Sequence, residues 1–206
     1  MRRLLLLLIA LSAACETATG PRSTNDPTSG DTSSGTPILT PIDTPYVALV
    51  PGDTSFWAVK GQTLDVVLRF RSTTAGQAGD QLLELQLSGA SLSKRPDGTP
   101  IANGDSVLIT IRPDTTGKMS FVFEPSGLVF DSTAPALLRM WCNHAAADLN
   151  GDGVVNTTDE QLWYQMAVWK RESATDPWSK QSTTRSADGY RLDTQVTGFT
   201  GFSVAS

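Results

Sequence analysis

Residues 119–141, with the sequence MSFVFEPSGLVFDSTAPALLRMW, decide the fold class of this 206-residue chain. Apolar side chains recur with a period near two in the runs 119–123 and 137–141, and a third apolar run covers 128–130. A period of two is typical of a β-strand with one buried face, and the intervening Pro and Gly residues favour turns. The stretch therefore predicts three consecutive short strands.

Runs of the same kind occur on both sides of this stretch. They cover residues 46–50, 56–59, 64–71, 82–87, 107–111, 166–169, 178–181, 192–196 and 202–204. Turn signals separate several of them, for example Pro96-Asp-Gly98 and Asn103-Gly104. Many short strands separated by turns predict an all-β fold, an antiparallel β-sandwich, over residues 46–206.

Two segments resemble ZU5-like sandwich domains. Phe123-Glu-Pro-Ser-Gly-Leu-Val-Phe130, followed by Ala136-Leu-Leu-Arg-Met140, is similar to the family segment F-x-P-S-G-L-x-F and the strand P-A-x-L-x-I after it. The C-terminal Val196-Thr-Gly-Phe-Thr-Gly-Phe-Ser-Val-Ala205 resembles the closing strand of the same family. The resemblance covers roughly residues 80–206. It implies a structural or protein-interaction scaffold, and it carries no catalytic residues.

The most informative stretch for function is the twelve-residue segment Asp148-Leu-Asn-Gly-Asp-Gly-Val-Val-Asn-Thr-Thr-Asp159. Counted from Asp148, oxygen-bearing side chains lie at positions 1, 3, 5, 9 and 12, and position 6 is Gly. Calcium is a hard cation that takes six to eight oxygens with flexible geometry, which this loop could supply with one water. We therefore expect a Ca²⁺ site, whose ligands are Asp148, Asn150, Asp152, the backbone carbonyl of Val154, Asn156 and Asp159.

The same segment resembles a dockerin calcium repeat, D-x-N-x-D-G-x-V-N-x-x-D. Dockerins carry two such repeats and this chain has one, so the resemblance implies calcium binding rather than paired-repeat binding of a cohesin. Asn156 is expected to cap a short helix from Thr157 to about Gln165. The apolar Val155, at position 8, is expected to anchor the loop to the core. The alternative is a surface turn that binds no metal.

The first fourteen residues have the composition of an export signal. Met1-Arg-Arg3 is basic, and the apolar run that follows is too short to span a bilayer. Leu11-Ser-Ala-Ala-Cys15 resembles a lipobox, the site at which bacterial lipoproteins are cleaved before a lipidated cysteine. The resemblance predicts a lipoprotein signal peptide over residues 1–14 and lipidation of Cys15. An ordinary signal peptide that leaves this cysteine free is the alternative.

Residues 15–45 consist almost wholly of Thr, Ser, Pro, Gly, Asp and Asn, and only Ile38, Leu39 and Ile42 are large and apolar. Such a composition buries too little surface to offset chain entropy, so we expect a disordered linker that ends at residue 45. Thirty such residues span about 30 Å, enough to hold a domain off a membrane. Glu16 is not an evident inner-membrane retention residue, which favours the outer membrane or cell surface.

Charge and rare side chains exclude several classes of function. The formal net charge of −5 argues against a nucleic-acid partner. The one histidine, His144, excludes multi-histidine zinc sites and is expected to lie isolated on the surface. If Cys15 is lipidated, Cys142 has no disulfide partner and is expected in the core. Core packing is also expected of three tryptophans in apolar strand contexts, namely Trp57, Trp141 and Trp169.

Three hypotheses for function follow from these features. The first is a non-enzymatic, calcium-stabilised sandwich on a lipid tether, with a structural role or an unknown protein or glycan partner. The second is a dockerin-like or carbohydrate-binding accessory of an extracellular polysaccharide-degrading system. The third is a hydrolase with His144 as its base; the chain contains no Gly-x-Ser-x-Gly, His-Glu-x-x-His or phosphate-loop motif to support it.

Overall fold

The computed structural model describes residues 34–206; the predicted signal peptide over 1–14, the predicted lipidation site Cys15 and residues 16–33 of the predicted linker lie outside the described residues. The described chain contains fourteen strands and two short helices. The strands are β1 (Ser34–Gly35), β2 (Thr54–Val59), β3 (Leu64–Arg69), β4 (Gln81–Leu87), β5 (Leu92–Lys94), β6 (Ser106–Pro113), β7 (Ser120–Glu124), β8 (Val129–Phe130), β9 (Ala136–Trp141), β10 (Ala167–Arg171), β11 (Trp178–Lys180), β12 (Thr183–Arg185), β13 (Arg191–Val196) and β14 (Gly201–Ala205). The helices are α1 (Thr44–Val47) and α2 (Thr157–Gln165).

The strands form two large sheets and one small ribbon. The first sheet has seven strands in the order β1-β11-β10-β14-β7-β6-β2, and the second has five in the order β12-β13-β9-β4-β3. The ribbon pairs β5 with β8. Neighbouring strands in this part of the chain pair antiparallel, which confirms the predicted all-β, antiparallel architecture.

The core lies between the two large sheets. Side chains of β6 alternate between buried and exposed positions, as do those of β9 in the opposite sheet. Most buried apolar residues of both sheets belong to one continuous cluster, so the sheets form a sandwich. At its centre the ring of Phe123 lies 5.1 Å from that of Phe199 and 5.4 Å from that of Phe202.

The strand predictions are wrong at one place and incomplete at three others. Residues 46–50, predicted as a strand, begin in helix α1 and continue into a turn. The side chain of Asp43 accepts a hydrogen bond from the N–H of Thr44, and Pro45 occupies the first turn, so the local sequence starts a helix. Strands β1, β5 and β12 were not predicted, because each has only two or three residues and little apolar content.

The folded domain begins before residue 46, so the predicted linker is too long at its C-terminal end. The N–H of Thr40 donates to the carbonyl of Val204 at 3.0 Å, and the N–H of Ile42 donates to the carbonyl of Gly117 at 2.8 Å. The side chain of Ile42 is 5% exposed, and Leu39 packs against Trp169. Two of the three large apolar residues of the predicted linker, Leu39 and Ile42, are therefore the ones that attach it to the sandwich.

The three tryptophans predicted in the core lie in different surroundings. Trp169 is buried, but in a second, small apolar cluster with Ala167 and Ala205 rather than in the main core, and its indole N–H donates to the carbonyl of Ala205 at 3.0 Å. The core prediction is wrong for Trp57, which is 61% exposed, because its neighbours Phe56 and Ala58 occupy the inward-facing positions of β2. The core prediction is also wrong for Trp141, which is half-buried on the outer face of β9.

Cys142 is buried in the core, as predicted, and burial raises the pKa of its thiol to about 12. The thiol is therefore neutral at physiological pH and behaves as a small apolar group. Across residues 34–206, neither helix has the length and apolar content needed to cross a bilayer.

Candidate functional site

The candidate calcium loop connects the end of the β9 segment to helix α2. Its anchor in the core is Leu149, which is 4% exposed and belongs to the main apolar cluster. The prediction that Val155 anchors the loop is wrong, since this side chain is 65% exposed, and its neighbour Val154 is also exposed. The loop is therefore attached at its second residue, and its distal half extends into solvent.

The carboxylate of Asp148 organises the first half of the loop. One of its oxygens accepts a hydrogen bond from the N–H of Gly151 and the other from the N–H of Gly153, both at 2.8 Å. Both glycines have a positive φ, 75° and 85°, in the left-handed region that residues with a Cβ rarely adopt. The chain therefore curls around this carboxylate at the positions where the sequence places Gly.

Successive Asx turns continue the curl. Oδ1 of Asn150 accepts from the N–H of Asp152 at 2.9 Å, and Oδ1 of Asp152 accepts from the N–H of Val154 at 2.8 Å. Oδ2 of Asp152 accepts from the amide of Asn150 at 3.0 Å. Each side chain therefore fixes the backbone two residues ahead of itself, and the side-chain oxygens lie along one narrow loop.

Asp159 closes the loop on itself and lies in the first turn of helix α2. Its Oδ1 accepts from the N–H of Leu149 at 2.8 Å, and its Oδ2 accepts from the N–H of Asn156 at 2.9 Å. The latter bond forms a capping box with the side chain of Asn156, which confirms the predicted cap and the helix over Thr157–Gln165. The N–H of Asn156, followed by those of Leu149 and Asn150, holds the pKa of this carboxyl below its usual value.

The loop offers oxygen atoms, the type of ligand that a hard divalent cation takes. No group of three or more His, Cys, Asp or Glu side chains within residues 34–206 is arranged to hold a metal ion. An ionised carboxylate has about four acceptor positions, and those of Asp148 and Asp152 each accept two hydrogen bonds from the loop. Both carboxylates therefore retain lone pairs for a cation. The predicted ligand set remains a prediction.

His144, predicted as an isolated surface residue, is packed and paired. Its ring stacks on Tyr46 with centroids 3.6 Å apart and meets the edge of Phe70 at 4.9 Å. Its Nε2 lies 2.8 Å from Oδ2 of Asp80, and its side chain is 10% exposed. Asp80 is 64 residues away in the sequence, so no local pattern could have revealed the pair.

The His144 ring faces a hollow of about 370 Å³ whose rim includes the hydroxyl residues 72–74. The hydroxyl of Ser72 donates instead to the carbonyl of Thr74 at 3.0 Å. Among the described residues, no hydroxyl or thiol hydrogen-bonds to this ring, so the nucleophile–base contact that a hydrolase would show is not formed there. The arrangement ties helix α1 to the loop before β4.

Comparisons with known proteins return no relatives. No family model matches the chain, and neither the curated proteins nor the solved structures contain a match to it. The resemblances to ZU5-like domains, to dockerin repeats and to lipoprotein signals therefore remain sequence-based predictions.

Proposed function

We propose that this protein is a non-enzymatic, calcium-stabilised β-sandwich, which a lipid on Cys15 anchors to the cell envelope. The observation that carries the proposal is the order of the loop residues 148–159. An oxygen-bearing side chain precedes each of the two positive-φ glycines, and the carboxylate at position 12 completes the capping box of helix α2. Hard oxygen donors in this order suit calcium better than a softer metal.

The cation would be held by six residues of the loop. They are Asp148, Asn150, Asp152, Val154 through its carbonyl, Asn156 and Asp159. When bound, the ion supplies positive charge that neutralises the repulsion between the three carboxylates. Because the unfolded chain does not gather these oxygens, binding stabilises the folded state by linkage.

The protein's own residues prepare the loop for this role. Leu149 fixes its beginning in the core, and Asp159 ties its end to the same place through the N–H of Leu149. The two ends of the loop therefore meet at one point, and the free distal half can adjust to a ligand. The exposed position of that half gives an ion access from solvent.

Calorimetry and thermal melts with calcium and with a chelator test the calcium site. At a calcium concentration of 100 times Kd, linkage stabilises the native state by about 2.7 kcal/mol. For a domain of this size, that corresponds to a rise in melting temperature of about 5–10 °C. Asp148→Ala and Asp152→Ala should each abolish the heat of binding and most of the shift.

A matched control comes from another Asx turn. Oδ1 of Asp97 accepts from the N–H of Thr99 at 2.9 Å, so Asp97→Ala removes a turn carboxylate of the same kind outside the loop. This variant should bind calcium like the unmodified chain. Equal melts in calcium and chelator, without a heat of binding, would contradict the calcium site.

The anchor and the alternative partner have separate tests. If the full-length chain partitions into a detergent phase and Cys15→Ala does not, the lipid anchor is supported, because all of the proposed acyl chains are attached to this cysteine. The dockerin-like alternative predicts that an immobilised cohesin captures the protein. A sandwich stabilised by one calcium loop does not predict this. Neither test depends on the outcome of the calcium titration.

A further inference from the structure

The outer face of the five-stranded sheet carries one row of side chains that crosses its strands. Asp65 on β3 pairs with Gln86 on β4, Gln86 pairs with Leu137 on β9, and Leu137 pairs with Gln195 on β13. Directly paired residues project to the same face of a sheet. We call these four residues the amide row.

Two hollows flank the centre of the amide row. A hollow of about 540 Å³ lies on one side of Leu137 and includes Asp65 and Gln86 in its wall. A second hollow of about 340 Å³ lies on the other side and includes Gln195 and Thr184. Leu137 lines both, so the hollows form one interrupted depression across the sheet, with an apolar ridge in the middle.

The polar groups of the amide row are available to a ligand. Asp65 and Gln195 are exposed, Gln86 is half-buried, and none of the three side chains is hydrogen-bonded to another group of residues 34–206. Each glutamine amide offers donors and an acceptor, and the carboxylate offers acceptors. The row therefore presents donors and acceptors that no other protein group occupies, on both sides of a small apolar surface.

The next row along the strands consists of charged side chains that are held in ion pairs. Glu84, Arg139 and Asp193 are paired across β4, β9 and β13. Arg139 forms an ion pair with Glu84, and Arg191 binds both oxygens of Asp193 at 2.8 and 3.0 Å. Because each arginine already has a carboxylate partner, this part of the face has no attraction for a polyanion.

We propose that the amide row binds an uncharged oligosaccharide chain that lies across the strands. Vicinal hydroxyl groups of a sugar match the donor and acceptor pairs of Gln86 and Gln195, and the C–H face of a sugar ring suits Leu137. Four strands at a spacing of about 4.8 Å make the row about 14 Å long, the length of a short oligosaccharide. The proposal does not depend on the calcium site, which lies in a different segment.

A folded protein fits this face less well. A stable protein interface buries about 800 Å² on each partner and has an apolar centre. Near the amide row the apolar side chains are the half-buried Leu137 and the partly exposed Val67, and the remainder is polar. A polyhydroxylated chain meets the polar groups without requiring such an apolar centre.

The test is titration of the full-length chain, purified in mild detergent, with four hexasaccharides. The probes are β-1,4-linked glucose, xylose and mannose hexamers and an α-1,4-linked galacturonic acid hexamer. At least one of the uncharged hexamers should bind, and the galacturonate should bind more weakly than they do. A double variant, Gln86→Ala with Gln195→Ala, should lose about tenfold in affinity or more, with an unchanged melting temperature.

Two controls locate the binding surface and separate it from the calcium site. Trp57→Ala removes the most exposed tryptophan of the described chain, on the opposite sheet, and should leave affinity unchanged. Binding should also persist in the presence of a chelator, at a temperature well below the melt. The proposal is overturned if no uncharged hexamer binds, if the galacturonate binds best, or if Trp57→Ala loses binding while the double variant keeps it.

Discussion

Replacing Leu149 by Ala should destabilise the whole domain, whereas Val155→Ala should leave its stability almost unchanged. Both residues belong to the candidate calcium loop, and both substitutions shorten an aliphatic side chain. Leu149 is 4% exposed within the main core, and Val155 is 65% exposed. The comparison therefore asks which residue attaches the loop to the sandwich.

The expected magnitude follows from burial. Leu→Ala removes the equivalent of about three buried CH₂ groups, worth about 2.4 kcal/mol at about 0.8 kcal/mol each. The cavity left behind adds to this loss, so buried Leu→Ala substitutions cost about 2–5 kcal/mol. For a domain of this size, the melting temperature should fall by about 5–15 °C. An exposed substitution such as Val155→Ala stays within about 0.5 kcal/mol.

Urea denaturation in the presence of a chelator measures both variants without a contribution from bound metal. Tryptophan fluorescence reports the transition, and the slope of the free energy against urea should be unchanged if both states keep their compactness. A Val155→Ala loss as large as that of Leu149→Ala would refute the assignment of the anchor. So would a Leu149→Ala variant as stable as the unmodified chain.

Three further predictions concern the domain boundary, the buried thiol and acid stability. Ile42→Ala should lower the free energy of unfolding, measured by urea denaturation, by about 2–5 kcal/mol, whereas Ile38→Ala, at an exposed position, should have little effect. Equally small losses in both variants would indicate that these residues belong to the linker and not to the folded domain. In a Cys15→Ser variant, Cys142 is the remaining cysteine, and its burial and its pKa of about 12 should let it react with a thiol reagent only when the domain unfolds. Labelling of the folded protein as fast as that of an exposed thiol would contradict its burial. Because the folded-state pKa of Asp159 lies below its usual value near 3.8, its stabilising contribution is present above that value and is lost as pH falls through the folded pKa. Asp159→Asn should therefore be much less stable than the unmodified chain near neutral pH, and the difference in free energy of unfolding should shrink in acid. Urea denaturation in the presence of a chelator at several pH values measures this difference, and a difference that does not change with pH would contradict the prediction.

The strands and helix α2 could be predicted because their signals are local. Alternation in residues 107–111 and 137–141 marks one buried face, and the order of Asn156 and Asp159 specifies a helix cap. Both signals act within a few residues of the chain. Tertiary packing did not have to override them, so they agree with the structure.

The failures concern neighbours that are distant in the sequence. Alternation shows that Trp57 and Ala58 face opposite sides of β2, but it does not show which side meets the second sheet. The partner of His144 is Asp80, in the loop before β4, and Ile42 is held by residues far along the chain, among them Gly117. These contacts arise only when the sheets assemble.

The candidate site divides in the same way. The spacing of the loop residues indicates oxygen ligands and the glycine turn at Gly153, and it does not determine how deeply each carboxylate is buried. Asp159 is buried and accepts hydrogen bonds from backbone N–H groups, whereas Asp148 is half-buried and Asp152 is exposed. The amide row had no sequence signal, because its four members come from four strands and are related only by register.

The pairing of Ile38 with Ser206 brings the two ends of the described chain to one corner of the molecule. Each of these residues donates its N–H to the other's carbonyl, at 3.1 and 3.2 Å. A reporter fused after Ser206 would consequently begin beside Ile38, at the corner where the described chain starts. If the proposed anchor at Cys15 holds, a label inserted at an exposed turn such as Asp97-Gly98 would be the better probe of surface display, because it lies away from that corner in the sequence.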